Sequence, residues 1–445
     1  MAVNSAVQLP LLQSADPNRP VLWSRGHAVS VAEFWHSVAT LASRLPKQTY
    51  LINLCEHRHE FLVAFCAALL RRQTNLLPSS RAQAVVDEVL GAYDGAYVCN
   101  DSMVALEDAP SNRHSPDAAN ATVPPAQVAA VGFTSGSTGQ PQRHAKLWGS
   151  FQSSNAFNVA RIRECLRNGR AQPWIVATVP PQHMYGIETS VLLPLIGDMA
   201  VHAGRPLFPA DVAAALGEVP APRILVTTPI HLRALLNSSQ RLPNDTLVIS
   251  ATAPLDADVA IAVERSWGAR LLEMFGSTET CIIATRETAR HTAWRLFPHV
   301  TLQPHINGTT VDAPWFDAPV VLQDILEPLP DAHFIVRGRN ADMVEVAGKR
   351  ASLVDLTCRL QSLPGVRDAV VFQPDIAAAG VVRRVAALVV APDKTAEELC
   401  KQLGCSIDAA FIPRPLVLVS ALPRNEVGKL PRERLLAALQ TRAGD

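Results

Sequence analysis

The sequence has no excess of charge of either sign, and this argues against a strongly charged macromolecule or membrane as its main partner. Its 445 residues include 40 Lys and Arg against 40 Asp and Glu, so the formal net charge is zero. No long basic run occurs along the chain. Because nucleic acids and anionic membranes attract proteins through clustered positive charge, neither is expected as the main partner.

Paired cysteines and long apolar runs are also missing. The 8 Cys are scattered without a CxxC spacing, which favours reduced, mostly buried thiols over a disulfide framework. The N-terminus has neither the basic start nor the apolar block of a signal peptide. The longest apolar run, 61–70, is too short to cross a bilayer. We therefore expect a cytoplasmic protein without a membrane span.

The chain does contain a regular alternation of short β-branched runs and helix-like segments. The runs that are typical of buried strands lie at 50–55, 96–100, 129–136, 174–179, 223–229 and 246–250. Segments rich in Ala, Leu and charged residues separate several of them. This alternation predicts an α/β fold of parallel-rich sheets with crossover helices.

The sequence pattern changes near residue 338. Beyond it, two helix-like segments alternate with three strand-like runs over about one hundred residues, an ordinary domain size. We expect a large N-terminal domain, 1–338, and a small mobile α/β domain, 339–445, joined by a hinge at 338–342. The proline-rich polar stretch 104–127 is typical of a surface loop that leads into the next strand.

The strongest local signal is a loop of glycines and hydroxyl residues directly after a strand-like run. It reads Thr134, Ser135, Gly136, Ser137, Thr138, Gly139, Gln140 and Pro141. Glycines let backbone amides approach a ligand, and hydroxyls donate to phosphate oxygens without adding charge. A flexible Ser/Gly turn would have the same composition. The loop is neither a Walker A motif nor a GxGxxG dinucleotide motif.

Three more segments carry residue types that suit nucleotide chemistry. The segment 273–280 combines an aromatic ring, a glycine, hydroxyls and a carboxylate, which can stack a purine and hold Mg²⁺. The segment 336–350 is rich in Arg and Gly, as a solvated linker would be. The segment 422–432 places Lys429 on a Pro/Gly loop, where its charge can reach a phosphate or carboxylate. A basic surface turn is the alternative there.

In order and spacing, the four segments resemble the acyl-adenylate-forming superfamily: acyl-CoA synthetases, aryl-acid ligases and free-standing adenylation domains. The resemblance covers roughly residues 50–435. It implies an AMP-forming ligase that uses ATP and Mg²⁺. A carboxylate attacks the α-phosphate of ATP to give an acyl-AMP and pyrophosphate, and a thiol then displaces AMP.

The resemblance also implies where the nucleotide binds. The loop 134–139 corresponds to the family's phosphate loop, and Lys429 to the lysine that bridges the acid and the α-phosphate. Thr278 corresponds to the residue that meets the α-phosphate, and Glu279 to the Mg²⁺ carboxylate. The residues implied at the adenine and ribose are Thr252, Ala253, Pro254, Phe275, Gly276, Asp324 and Arg339.

Since two anions must meet in this reaction, the site has to supply positive charge where negative charge develops. Mg²⁺ and Lys429 would supply it, and rotation of the small domain would then withdraw the lysine.

The acyl pocket is inferred from the family pattern alone. Its lining residues would be His183, Tyr185, Thr228, Ser250, Met274 and Gly276, with His183 also shielding the carboxylate. This lining favours a short, flat acid, and the compact chain resembles aryl-polyene (xanthomonadin-type) ligases. We expect an aryl acid such as a hydroxybenzoate, and CoA or the phosphopantetheine of an acyl carrier protein as thiol acceptor. The alternatives are a medium-chain acyl-CoA synthetase and a catalytically degenerate binding protein.

The sequence departs from the family pattern at the phosphate loop and the hinge. Gln142 stands where a lysine usually follows the loop proline, with Arg143 and Lys146 close by. We hypothesise that Lys146 replaces the missing loop lysine, since its long flexible side chain tolerates altered spacing. Ala341 takes the hinge position, where the family usually has Asp or Lys, and Asp355 replaces a commoner Glu.

Overall fold

The structure is a computed structural model that describes residues 8–14, 16–105, 121–134, 142–166, 171–305, 308–339, 343–346, 349–374, 384–425 and 428–440. The chain forms two compact units. Unit 1 comprises residues 1–300 and 313–318, and unit 2 comprises 301–312 and 319–445. The predicted hinge residues 340–342, with Ala341, lie outside the described residues.

The helices are distributed over both units. They are α1 (Val31–Arg44), α2 (Arg58–Leu70), α3 (Gln83–Ala92), α4 (Asp101–Ala105), α5 (Trp148–Cys165), α6 (Met184–Gly186), a π-helix (Ile187–Leu192), α7 (Leu193–Ile196), α8 (Pro209–Glu218), α9 (Pro229–Leu236), α10 (Ala257–Trp267), α11 (Leu353–Gln361), α12 (Ala396–Leu403) and α13 (Arg432–Gln440), with a short 3₁₀ turn at Ala409–Phe411.

The strands of unit 1 build its sheets. They are β1 (Leu9–Pro10), β2 (Pro20–Ser24), β3 (His27–Ser30), β4 (Tyr50–Asn53), β5 (Thr74–Leu77), β6 (Ala96–Cys99), β7 (Thr122–Val123), β8 (Val128–Thr134), β9 (Gln142–Leu147), β10 (Trp174–Ala177), β11 (Ala200–His202), β12 (Arg223–Thr227), β13 (Thr246–Ser250), β14 (Arg270–Ser277), β15 (Cys281–Arg286) and β16 (Trp294–Leu296).

The strands of unit 2 are mostly antiparallel. They are β17 (Thr301–His305), β18 (Gly308–Asp312), β19 (Val320–Leu322), β20 (Asp324–Leu329), β21 (His333–Arg339), β22 (Met343–Val346), β23 (Lys349–Ser352), β24 (Asp368–Phe372), β25 (Ala386–Val390) and β26 (Leu416–Leu418).

Two largely parallel sheets organise unit 1. The smaller sheet has the order β6-β4-β5-β8-β9, with β9 antiparallel to β8. The larger has the order β16-β15-β14-β13-β12-β10-β11-β2-β3 within this unit and is parallel from β14 to β2. Ligands of open α/β sheets bind outside the carboxyl ends of parallel strands. The segments that follow β10, β12 and β13 all leave from that edge.

The predicted α/β class is confirmed, because apolar runs become buried strands and helices cover them. All five residues of β13 are buried. Helix α2 is apolar almost all round and is buried along most of its length, as expected for a helix without a solvent face. All eight cysteines are free thiols, and Cys55, Cys66, Cys99, Cys165 and Cys281 are buried.

Unit 2 has a core of its own. Side chains of α11, α12, β24 and β25 pack together around residues such as Leu356, Val371, Val389 and Leu399. The predicted boundary at residue 338 falls inside this unit, in β21, because β21 pairs with β20 as a hairpin. Among the described residues, no helix is long and apolar enough to cross a membrane.

Candidate functional site

A tight turn between the antiparallel strands β14 and β15 carries Thr278 and Glu279. The turn is closed by the Ser277 amide, which donates to Thr280 Oγ1 at 3.1 Å. Gly276 has to be a glycine, since a Cβ there would lie 2.2 Å from the Cys281 carbonyl oxygen. Cys281 has a φ of +61°, a region that costs energy for a residue with a side chain. The turn is therefore a specified local structure.

The Thr278 side chain lies against β8, the strand that leads into the predicted phosphate loop. A Cβ on Gly132 would lie 3.0 Å from the Thr278 methyl group, so a glycine makes room for this contact. Ser135, Gly136, Ser137, Thr138 and Gly139 of the predicted loop lie outside the described residues. The structure thus brings the strand that ends at Thr134 to the Thr278 turn, two segments that are far apart in sequence.

Glu279 combines partial exposure with stabilisation of its charge. Its carboxylate is 30% exposed, and Oε1 lies 3.5 Å from His144 Nε2. Burial acts to raise the pKa of Glu279, but a Ser277 hydrogen bond and the charges of His144 and Lys146 outweigh it, so the pKa is lowered. An ionised, accessible carboxylate suits Mg²⁺, which prefers hard oxygen ligands.

Strand β9 presents its side chains to two different surroundings. His144 and Lys146 both reach Glu279, as residues two apart on a strand share a face. Lys146 is 8% exposed, and its Nζ donates to the Glu279 backbone oxygen at 2.5 Å. Arg143 lies instead over the ring of Tyr93, 4.8 Å from its centroid. The hypothesis that Lys146 replaces the loop lysine stays untested, and here its Nζ donates to the main chain of Glu279.

The predicted adenine residues lie on neighbouring segments. The phenyl ring of Phe275 is partly buried, with its centroid 5.3 Å from that of Trp294. Thr252, Ala253 and Pro254 follow β13, which is paired directly with β14. Thr252 is exposed with a φ of +79°, and such strain in a non-glycine residue often marks a functional segment.

Of the predicted acyl-pocket residues, Tyr185 is fixed most firmly. Its buried hydroxyl is placed to donate to the carbonyl oxygens of Thr227 at 3.2 Å and Ile249 at 3.1 Å. This ties α6 to the ends of β12 and β13. His183 lies at the N-terminus of α6, partly buried. Met274 is buried within β14.

Polar groups gather where β10, β12 and β13 end. Thr228 Oγ1 lies 2.9 Å from His231 Nδ1, and Thr178 Oγ1 donates to Thr227 Oγ1 at 3.0 Å. Burial, with the nearby charge of Arg205, lowers the pKa of His231. The Ser250 hydroxyl is buried and has no hydrogen-bond partner among the described residues. A bound molecule that offers a polar group there would satisfy it.

His144 and His231 were not identified from the sequence. For His144, the available signal was its spacing of two residues from Lys146, since residues two apart share a face once the segment forms a strand. For His231, the sequence carried no such pattern. Its position follows from the packing of α9 beside β12.

Unit 2 holds the remaining predicted residues. Asp324 and Arg339 are directly opposite each other in the β20–β21 hairpin, which accounts for their spacing of 15 residues. Lys429 is exposed, and its amide donates to Asn425 Oδ1 at 2.9 Å. Arg424 anchors this loop by donating to Asp368 at 2.8 and 2.9 Å and to the Gly428 carbonyl at 2.9 Å.

No group of three or more His, Cys, Asp or Glu side chains within the described ranges could hold a metal ion. Proteins commonly bind Mg²⁺ through one or two carboxylates together with substrate phosphates. Glu279 fits that role.

The curated sequences similar to this chain include two described as 4-coumarate--CoA ligase. A protein described as 4-coumarate--CoA ligase from Halorhodospira halophila is 28% identical over 306 residues, 67% of this chain and 73% of that protein. Another 4-coumarate--CoA ligase, from Rhodobacter capsulatus, is 29% identical over 238 residues, 53% of this chain and 58% of that protein.

Solved structures share the fold over almost the whole chain. ATP-bound MatB from Rhodopseudomonas palustris has a TM-score of 0.79 at 18% identity, with 97% of this chain and 98% of that chain covered. MenE from Bacillus subtilis, o-succinylbenzoate CoA synthetase in complex with OSB-AMP, has a TM-score of 0.76 at 16% identity, with 95% and 96% covered.

The family model described as AMP-binding enzyme matches residues 67–331. This segment includes the β8 strand, the Thr278–Glu279 turn and Asp324. Because it is more than half of the 445 residues, the chain belongs to the AMP-binding enzymes, the superfamily of acyl-adenylate-forming ligases.

Proposed function

We propose that this protein is an ATP-dependent acid–thiol ligase that activates a carboxylic acid as its acyl-AMP and transfers the acyl group to a thiol. The observation that carries the proposal is the turn at Glu279. There an ionised, partly exposed carboxylate lies next to Thr278, beside the strand that leads into a Ser/Gly-rich loop. The partly buried His144 and the buried Lys146 also reach this turn.

In the adenylation step, the chain's residues would bring two anions together. The Thr278 hydroxyl donates to an α-phosphate oxygen, and the exposed ammonium of Lys429 neutralises charge that develops between the acid and the phosphate. Mg²⁺, held by Glu279, supplies further positive charge when it is bound. Asp324 accepts from the ribose hydroxyls, and the face of Phe275 packs against adenine. Pyrophosphate leaves as the acyl–phosphate bond forms.

For the acid, we favour an aryl acid such as a hydroxybenzoate or a hydroxycinnamate. Two similar sequences are described as 4-coumarate--CoA ligases, which concerns those proteins. Here the polar groups of Thr228, His231 and Ser250 lie where β12 and β13 end. A buried unpaired hydroxyl disfavours an all-apolar alkyl chain, since leaving it unsatisfied costs about 1–3 kcal/mol.

The thiol acceptor is CoA or the phosphopantetheine of an acyl carrier protein. Both present the same pantetheine thiol, so the residues of the adenylation site do not distinguish them. The relatives described as CoA ligases support CoA. We propose that AMP is displaced when this thiol attacks the acyl carbonyl and loses its proton.

The proposal is tested by pyrophosphate release with MgATP and a panel of acids: 4-hydroxybenzoate, 3-hydroxybenzoate, 4-coumarate, benzoate and octanoate. We expect turnover with a hydroxylated aryl acid at least about tenfold above octanoate, a ratio worth 1.4 kcal/mol. Lys429→Ala should abolish it, while Lys401→Ala, an exposed lysine on α12, should not.

Two other outcomes would support a different function, and a further measurement identifies the thiol acceptor. Preference for octanoate would favour the medium-chain acyl-CoA synthetase. ATP binding without pyrophosphate release for any acid would favour a degenerate binding protein. Product mass with CoA, and with a holo-carrier protein in its place, would identify the acceptor.

A further inference from the structure

Glu188, in the π-helix after α6, is a buried charged residue that the adenylation chemistry does not use. Its side chain is 1% exposed. Both carboxylate oxygens accept from the backbone amide of Ile282, at 2.9 and 3.1 Å. The backbone oxygen of Glu188 accepts from Asn155 Nδ2 at 2.8 Å, so α5 fixes this segment. The carboxylate is thus held against the start of strand β15.

Lys146 approaches the same segment from β9. Its ammonium donates to the Glu279 carbonyl oxygen, three residues before the amide that Glu188 accepts. The positive charge of Lys146 also acts on Glu188. Burial raises the pKa of the Glu188 carboxyl group to about 7, and the Lys146 charge opposes this rise. Two buried side chains therefore hold the two ends of the segment 279–282 by hydrogen bonds to the main chain.

The segment between these two contacts is strained at Cys281, although Ser277 and Thr280 hold its first part by hydrogen bonds. Cys281 has a φ of +61°, and the Thr280 carbonyl accepts a long hydrogen bond of 3.4 Å from Trp315 Nε1. A residue in such a conformation persists when its surroundings over-determine it. Lys146 and Glu188 contribute to this through hydrogen bonds to one main-chain carbonyl and one main-chain amide.

We propose that Lys146 and Glu188 form a buried clamp that fixes the direction of the Glu279 carboxylate and the Thr278 hydroxyl. Both are positioning residues, acting from behind the turn through the main chain. This inference rests on the proposed function for its catalytic consequence. It also gives Lys146 a role that differs from direct contact with the β- and γ-phosphates.

The kinetic test uses Lys146→Met, Glu188→Gln and the double variant, with the exposed Lys47→Met and Glu88→Gln as controls. A clamp predicts that each single change lowers kcat and raises the Mg²⁺ concentration for half-maximal adenylation by roughly tenfold or more. The kcat of the double variant should be no lower than that of the less active single variant, because the double variant leaves no unpaired buried charge. Controls should match wild type.

Direct phosphate contact by Lys146 would give another pattern. Lys146→Met would raise the KM for ATP, Glu188→Gln would be silent, and the double variant would equal Lys146→Met. This pattern overturns the clamp. The clamp is also overturned if the loss of kcat in the double variant equals the product of the two single losses, since residues that act independently give that result.

A second measurement is independent of catalysis. Amide hydrogen exchange of the enzyme without nucleotide should be faster for residues 279–283 in Lys146→Met and Glu188→Ala, and unchanged in both controls. Unaltered exchange overturns the clamp even if activity is lost, and faster exchange with wild-type kinetics overturns its positioning role. If wild type adenylates no acid, the proposed function fails, whereas faster exchange would still support the structural clamp.

Discussion

At the residue scale, Glu279 shows how a protein can keep a half-buried carboxylate ionised. Desolvation works against the charge, and the Ser277 hydrogen bond with the His144 and Lys146 charges reverses the balance. The carboxylate is therefore prepared for a hard cation before any cation binds. A neutral amide of the same shape lacks this property.

We expect Glu279→Gln to raise the Mg²⁺ concentration needed for half-maximal adenylation by at least about tenfold, the lower end of what even outer-shell partners of metal sites cost. A neutral amide is the weaker ligand for Mg²⁺. A Mg²⁺ titration of pyrophosphate release measures it, with exposed Glu88→Gln as the matched control. An unchanged titration midpoint would remove Glu279 from the metal site.

Glu188 gives a prediction about stability and pH. Its pKa is about 7 in the folded protein, against about 4.3 in an unfolded chain. Between these pH values the folded protein binds more protons than the unfolded chain. The contribution of Glu188 to the free energy of unfolding is therefore fully present below about pH 4.3 and is lost as the pH rises through 7. Glu188→Gln cannot titrate. We therefore expect the free energy of unfolding of the variant, measured in urea, to rise relative to that of wild type by on the order of 3 kcal/mol between pH 4.5 and pH 8. A constant difference would contradict this.

At the element scale, the sequence predicted what depends on local pattern. The runs at 50–55, 174–179, 223–229 and 246–250 became strands because β-branched, apolar stretches of this length are stable when buried on both faces. The residues 142–147 gave no such pattern. Their strand exists because β8 offers an edge for pairing, and that pairing places Lys146 behind Glu279. Pairing partners and register come from tertiary structure, so this contact could not be derived locally.

The loop of Lys429 gives the prediction at this scale, because Arg424 ties it to β24. The guanidinium donates to both oxygens of Asp368 and to the Gly428 carbonyl. Arg424→Lys keeps the charge and loses the planar two-pronged geometry. We expect a several-fold loss of adenylation rate and destabilisation by about 1–3 kcal/mol. Rate and thermal unfolding would be compared with the exposed Arg367→Lys. An adenylation rate equal to that of wild type would mean that catalysis does not depend on this anchoring of the loop.

At the scale of the whole molecule, the residues assigned to one reaction belong to two compact units. Thr278 and Glu279 lie in unit 1, whereas Asp324 and Lys429 lie in unit 2. Which residues take part stays a prediction from the ordered motifs in the sequence. The assignment of 301–312 and 319–338 to unit 2 required the packing of β17 to β21.

This division predicts that the two half-reactions respond differently to loss of Lys429. Lys429→Ala should slow acyl-AMP formation about 10²-fold or more, since no other group is assigned to neutralise the charge between acid and α-phosphate. Thioester formation from pre-made acyl-AMP should remain close to wild type, because no phosphate is attacked in that step. Single-turnover assays of each half-reaction measure this, with Lys401→Ala as the control. Equal losses in both half-reactions would mean that Lys429 supports the fold of unit 2 or a shared binding step, and its assignment to adenylation would be wrong.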